Sequence, residues 1–198
     1  MHVIGITGCI GSGKSFVSNI LSRMINAYVI NADQFAKTLL DVNDLAEIFP
    51  DCLNSNGVDT KKIAEKVFKN RTDLDKLESY IFPKFRKEIV KEIARIRMTK
   101  KYNYLILEAP TLFESKSENI CDFIITVTAP RKICISRALA RNHFTEDQVR
   151  FILKRQTSNA YKLAKSDYSL VSDFGESFVV RKLNKIIGDI NARCKNMS

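Results

Sequence analysis

The sequence predicts an α/β fold: a parallel sheet of about five strands flanked by helices, carrying a helical insertion and a hinged helix pair. Three observations carry this. A short apolar run at residues 3–6 leads into the glycine-rich stretch 8–15 and then into an amphipathic helical pattern. Further apolar runs recur at 27–30, 104–107, 123–127 and 168–171, and helical periodicity separates most of them. Between the second and third of these runs, residues 41–101 carry helical patterns and no strand-like run. A chain of 198 residues is long enough for one good core with small lobes and too short for two ordinary domains.

The first element is the most informative. Val3-Ile4-Gly5-Ile6 has the apolar continuity of a strand buried on both faces. Gly8-Cys9-Ile10-Gly11-Ser12-Gly13-Lys14-Ser15 then fits the phosphate-binding pattern G-x-x-x-x-G-K-[ST] at every required position. Val17, Ile20, Leu21 and Met24 follow at i, i+3, i+4 and i+7, one face of a helix. Strand, glycine loop and helix stand in the order that a nucleotide loop needs. Its amides and the helix dipole hold polyphosphate, Lys14 reaches the β- and γ-phosphates, and the Ser15 hydroxyl ligates Mg²⁺. Gly8, Gly11, Ser12, Gly13, Lys14, Ser15 and the adjoining Phe16 are therefore the candidate nucleotide-binding residues.

The second run, Ala27-Tyr28-Val29-Ile30, passes into Asn31-Ala32-Asp33 and a helical pattern. Asp33 thus follows a strand's carboxyl end, where open α/β sheets place their ligand chemistry. It could equally cap the next helix. The insertion at 41–101 has amphipathic patterns broken by Asn-Ser-Asn-Gly at 54–57 and by Pro83, and is expected to form a lobe for the acceptor substrate. Tyr104-Leu105-Ile106-Leu107-Glu108 reads as a buried strand ending in an acid, which in a phosphate-loop protein lies near Mg²⁺, usually through water.

Phe123-Ile124-Ile125-Thr126-Val127 is the next buried strand. Helical stretches at about 131–141 and 145–157 follow, hinged at Asn142-His143-Phe144, with Thr145 capping the second. Arg137 and Arg141, four apart, are expected on one helix face, and 137–157 is expected to act as a lid that closes on the transferred group. His143 reads as a loop residue, and with two histidines no His-based metal site or triad is expected. Tyr168-Ser169-Leu170-Val171 makes a last strand, and a helix over 178–194 turns Val179, Leu183, Ile186 and Ile190 inward. The phosphate-loop core is therefore expected to comprise 1–40, 102–136 and 158–198, in a P-loop kinase-type fold.

The net charge is +10, from 32 Lys+Arg against 22 Asp+Glu, spread without a basic block. That suits polyanionic substrates and does not single out nucleic acid, so no nucleic-acid partner is expected. No apolar stretch approaches a membrane span and the first strand begins almost at once, so a cytoplasmic protein is expected, with no membrane partner. A monomer is expected, with weak self-association open. The five cysteines are scattered and form no C-x-x-C pair, which argues against a disulfide framework and structural zinc. Cys9 stands apart, because its place at a helix N-terminus lowers a thiol pKa. Alkylation of Cys9 is expected to inhibit, with bound nucleotide protecting and a Cys9→Gly variant insensitive.

Several separated segments together resemble the dephospho-CoA kinase family. Residues Ile4 to Ser15 are similar to its I-G-L-T-G-G-I-G-S-G-K-S, and Ile30-Asn31-Ala32-Asp33 to its I-D-A-D. Glu108-Ala109-Pro110-Thr111-Leu112-Phe113-Glu114 resembles D-V-P-L-L-F-E, and Arg137 with Arg141 matches the lid R-x-x-x-R. Gln156, Lys162 and Ser166-Asp167 follow a Q…K…A-D pattern, so that the resemblance runs to about residue 175. Asn31 and Glu108 stand where the family has Asp, Phe82-Pro83 replaces His-Pro, and Ser172-Asp173-Phe174-Gly175 follows D-N-x-G only loosely.

The resemblance implies ATP and Mg²⁺ as cofactors, dephospho-CoA as acceptor, Asp33 as catalytic base, and Lys14 with Arg141 stabilising the transferred charge. Arg137 joins the nucleotide-binding set, and Ser15 with Glu108 holds the metal. Another small-molecule P-loop kinase, such as a nucleoside monophosphate kinase, is the alternative. A GTP switch would need N-K-x-D, and Asn184-Lys185-Ile186-Ile187 lacks the final Asp. A nucleic-acid-dependent ATPase is the third reading.

Overall fold

Short apolar runs that cannot satisfy their backbone groups alone pair here into one parallel sheet. The computed structural model describes residues 1–54, 57–141 and 144–196. In chain order the elements begin with β1 (His2–Thr7), α1 (Lys14–Ile25), β2 (Tyr28–Asn31), α2 (Ala32–Thr38) and α3 (Val42–Ile48). They continue with β3 (Leu53–Asn54), β4 (Gly57–Val58), α4 (Thr60–Lys69), α5 (Arg71–Met98), β5 (Tyr104–Glu108) and β6 (Phe123–Thr128). The chain closes with α6 (Arg131–Leu139), α7 (Glu146–Arg155), α8 (Asn159–Lys165), β7 (Tyr168–Val171) and α9 (Glu176–Asn196).

The five-stranded sheet has the order β2-β5-β1-β6-β7, all parallel. β5 lies between β1 and β2, with Ile6 and Asn31 both in register with Glu108. All five carboxyl ends therefore share one edge, and the glycine loop, Glu108 and the segment after β7 all leave from it. On one face Val17, Ile20 and Leu21 of α1 join Val179, Leu183, Ile186 and Ile190 of α9 against Ile4, Ile6, Ile125 and Val127. The expected inward faces of both helices are those buried. The expected strands at 104–108 and 168–171 match the observed ones, while the strand expected at 27–30 is shifted by one residue.

By internal packing the chain divides into two compact units, 1–31 with 93–198, and 32–92. The second has its own core of Leu45, Phe49, Cys52, Ile63 and Val67. Asp41 and Asp59 cap α3 and α4 by accepting two backbone N–H bonds each. Two expectations fail in the insertion. A two-residue antiparallel hairpin, β3 with β4, sits where no strand was expected, because strands this short leave no apolar periodicity. Ser55 and Asn56 of the expected break lie outside the described residues.

Pro83 also does not break the helix; it lies inside α5. Its missing N–H forfeits the bond to the Ser79 carbonyl, costing about 3 kcal/mol relative to Ala. The apolar stripe, however, stays in phase across it. Ile81, Phe85, Ile89, Ile93 and Ile96 are all buried, and each contributes about 1.5–3 kcal/mol. Pro83 itself points to solvent. Continuity of the buried face outweighs the local defect.

Candidate active site

The glycine loop turns tightly enough that no side chain could replace two of its glycines. Gly11 has φ +73°, and a Cβ there would lie 2.0 Å from the Cys134 carbonyl oxygen. Gly13 has φ +89°, and a Cβ would meet Ser172 Oγ at 2.6 Å. Beyond the loop, α1 starts with no side-chain cap and no acidic residue in its first turn. Its first bond of the α type runs from Val17 N–H to Gly13 O, so the N–H groups ahead of it in the first turn have no acceptor within the helix. Ser12 Oγ is buried with no hydrogen-bond partner among the described residues. A positive helix end with spare donors and a buried hydroxyl is a cradle for an anion.

The surrounding elements set this cradle. Gln156, just after α7, accepts the Ile10 N–H at 2.9 Å and fixes the loop's outer turn. Lys14 is almost fully buried, and its Nζ donates to Cys9 O at 2.9 Å. Ser15 Oγ donates to Glu108 Oε1 at 2.6 Å, which joins the start of α1 to the end of β5. Arg137 of α6 donates to Ser172 Oγ at 2.9 Å and Ser172 O at 3.3 Å. Ser172 Oγ in turn donates to Ser12 O at 2.6 Å, so Arg137 is tied to the loop through one serine.

Deeper, Lys162 of α8 is fully buried, donates to Pro110 O at 2.6 Å and lies 3.7 Å from Glu114 Oε1. Burial holds its ammonium below the ordinary lysine value, with Glu114 opposing. Glu114 Oε1 also accepts the Thr157 N–H at 2.6 Å. This pair therefore joins α8, the segment after β5 and the α7–α8 link. Cys9 Sγ lies 3.4 Å from Cys134 Sγ. The Cys134 thiol draws the Cys9 pKa down, assisted by Lys14 and Lys162 against the effect of burial, while the Cys134 thiol itself is pushed up.

The structure thus brings together Gly8, Gly11, Ser12, Gly13, Lys14, Ser15, Glu108 and Arg137. Phe16 sits on α1 with its side chain 40% exposed. Arg141 departs from expectation: α6 ends at Leu139 with Ala140 as its cap, so Arg141 lies in an exposed turn and shares no helix face with Arg137. The last buried positions of α6 are Cys134 and Ala138, and a further turn would add only Arg141 and Asn142. Asn142 and His143, the expected hinge and loop residues, lie outside the described residues. Asp33 is the second residue of α2, inside its first turn and not at a cap position.

Two residues carry more than sequence reasoning gave them. Ser172 follows β7's carboxyl end directly, and that position was the available signal. Gln156 had a motif match but no role.

A family model described as dephospho-CoA kinase matches residues 2–176. The chain belongs to the dephospho-CoA kinase family. Its family membership is matched by individual relatives. A dephospho-CoA kinase of Leptospira interrogans is 35% identical over 175 residues, covering 85% of this chain and 83% of that protein. The structure of a Campylobacter jejuni dephospho-CoA kinase superposes with a TM-score of 0.67 at 25% identity, covering 95% of this chain and 96% of that one. A crystal structure of a Thermus thermophilus protein gives a TM-score of 0.79 at 26% identity over 94% and 95% of the two chains. Glu108, where the family motif has Asp, still reaches Ser15 in this member.

Proposed function

We propose that this chain transfers the γ-phosphoryl group of ATP to the ribose 3′-hydroxyl of dephospho-CoA, giving coenzyme A and ADP. The observation that carries the reading is the uncapped, acid-free start of α1 behind the glycine loop, in a chain of this family. The loop amides, Ser12 and Lys14 bind the ATP phosphates, and Gln156 keeps the loop in shape for them. Ser15 Oγ and Glu108 are hard oxygen donors within 2.6 Å of each other, the donor type Mg²⁺ prefers, and they would hold it, Glu108 through water. When bound, the ion neutralises charge between the phosphates.

Asp33 accepts the proton of the 3′-hydroxyl; the assignment rests on the family motif and on its position just after β2. Lys14 and Arg141 stabilise charge on the transferred group, and Arg137, positioned by Ser172, binds the nucleotide. Residues 41–101 serve as the acceptor lobe and 137–157 as the lid. Catalysis then consists mostly of positioning and electrostatics.

The test is ADP release from Mg·ATP with dephospho-CoA, beside AMP, CMP and no acceptor. Release with dephospho-CoA alone, together with coenzyme A formation, is expected. Release with a nucleoside monophosphate instead would overturn the acceptor assignment and leave the nucleotide loop intact.

A further inference from the structure

A cavity of about 410 Å³ opens beside the glycine loop, and its wall includes both Cys9 and Cys134 together with Arg131, Lys154 and Gln156. Cys9 is 8% exposed and Cys134 is fully buried, so the cavity is the route by which a small reagent meets them. Their sulfurs are 3.4 Å apart and both thiols are free. None of the phosphate-binding roles above uses either thiol.

We propose that Cys9 and Cys134 form an oxidative modification site, in which peroxide joins them as a reversible disulfide that lowers nucleotide affinity. The chemistry balances in two steps. The Cys9 thiolate attacks one peroxide oxygen, the O–O bond breaks, and Cys9 becomes a sulfenic acid while the leaving hydroxide takes a proton to give water. Cys134 sulfur then attacks the Cys9 sulfur, the S–OH bond breaks, and the Cys134 proton leaves with the hydroxyl as a second water. Two thiols are oxidised and one peroxide is reduced. A dithiol reductant reverses the bond by exchange.

The geometry explains why the bond matters to the loop. A disulfide needs its sulfurs at about 2.05 Å, so they must close by more than 1 Å. Cys9 cannot move alone, because its carbonyl receives Lys14 Nζ. Nor can the loop slide freely over α6, because Gly11 already packs on the Cys134 carbonyl. Cys134 lies three residues before Arg137 on the same helix, so the bond strains Arg137's attachment to Ser172 as well. Two of the groups that hold phosphate are thus displaced together. Cys9 carries the low thiol pKa that initiation needs, while the raised Cys134 thiol waits as the resolving partner.

The experiment treats the full chain with hydrogen peroxide, counts thiols after unfolding, maps peptides and titrates a fluorescent ATP analogue. Two of the five thiols should be lost, in a peptide linking Cys9 to Cys134. The Kd for the analogue should rise about tenfold or more, as expected from losing one charge-assisted hydrogen bond, and dithiothreitol should restore it. Cys134→Ala should bind the analogue normally before treatment and show no dithiothreitol-reversible loss linked to a bridge. A bridge that forms without changing Kd overturns the proposal. So does equal, reversible loss of affinity in Cys134→Ala, or oxidation of Cys9 in the wild type with Cys134 left free. Should Cys134→Ala fail to fold, the wild-type peptide map and Kd decide alone. None of these readouts depends on which acceptor is phosphorylated.

Discussion

Ser172 shows how a single hydroxyl organises a phosphate site. It accepts from Arg137 and donates to Ser12 O, so its removal leaves Arg137 only the Ser172 backbone carbonyl and takes the donor from a loop carbonyl at once. Each lost bond is worth about 1 kcal/mol, and Ser172→Ala should raise the Kd for ATP roughly five- to thirtyfold in a binding titration. An unchanged Kd would mean that Arg137 holds its place by other contacts. As the proposed base, Asp33 would serve the chemistry and not the binding. Asp33→Asn should lower turnover by about 10²–10⁴-fold while ATP binding stays intact, read from kcat beside a nucleotide titration. Preserved turnover would reduce Asp33 to a structural residue in the first turn of α2. The glycine loop and its junction with α1 were legible because the proposed phosphate chemistry demands residue types at fixed spacing: Lys14 and Ser15 must follow the glycines. Ser172 was not, because serine is common and its partners lie 35 and 160 residues away.

Among the elements, the strands of the main sheet were readable because a strand buried on both faces must be apolar along its whole length, as Leu105, Ile106 and Leu107 are. Helix ends were less readable. Thr145 announced α7 as its cap, and in the structure it completes a capping box with Gln148, whereas α6 stops where its buried positions run out, which local sequence does not mark. Pro83 was misleading because a local rule met a long-range one. The exposed proline persists inside α5 only because the buried stripe on either side holds the helix. Pro83→Ala restores a backbone bond without opening a cavity, and should raise the thermal midpoint, by up to about 3 kcal/mol of stability. A lowered midpoint would mean that Pro83 itself contributes to the packing of α5.

At the level of the whole molecule, charge sets the terms of encounter. A net charge of +10 favours approach of polyphosphates from every direction, beyond the few cations that touch them. The KM for ATP should rise several-fold between about 0.05 M and about 0.5 M monovalent salt, with kcat changing less. Equal loss of both would point to damage at the chemistry and not to weakened attraction. Among the described residues no helix is long and apolar enough to cross a membrane.

The strand order carries a consequence for how the chain is made. β1 and β2 leave the ribosome first, yet they never touch; the strand that separates them, β5, arrives some seventy residues after β2. Until then the glycine loop has no sheet beneath it and no Glu108 to meet Ser15. The intervening unit, 32–92, is contiguous and has its own core, so it can settle while β1 and β2 are still waiting. A nascent chain of this protein thus gains its grip on nucleotide late, through one strand threaded between two earlier ones.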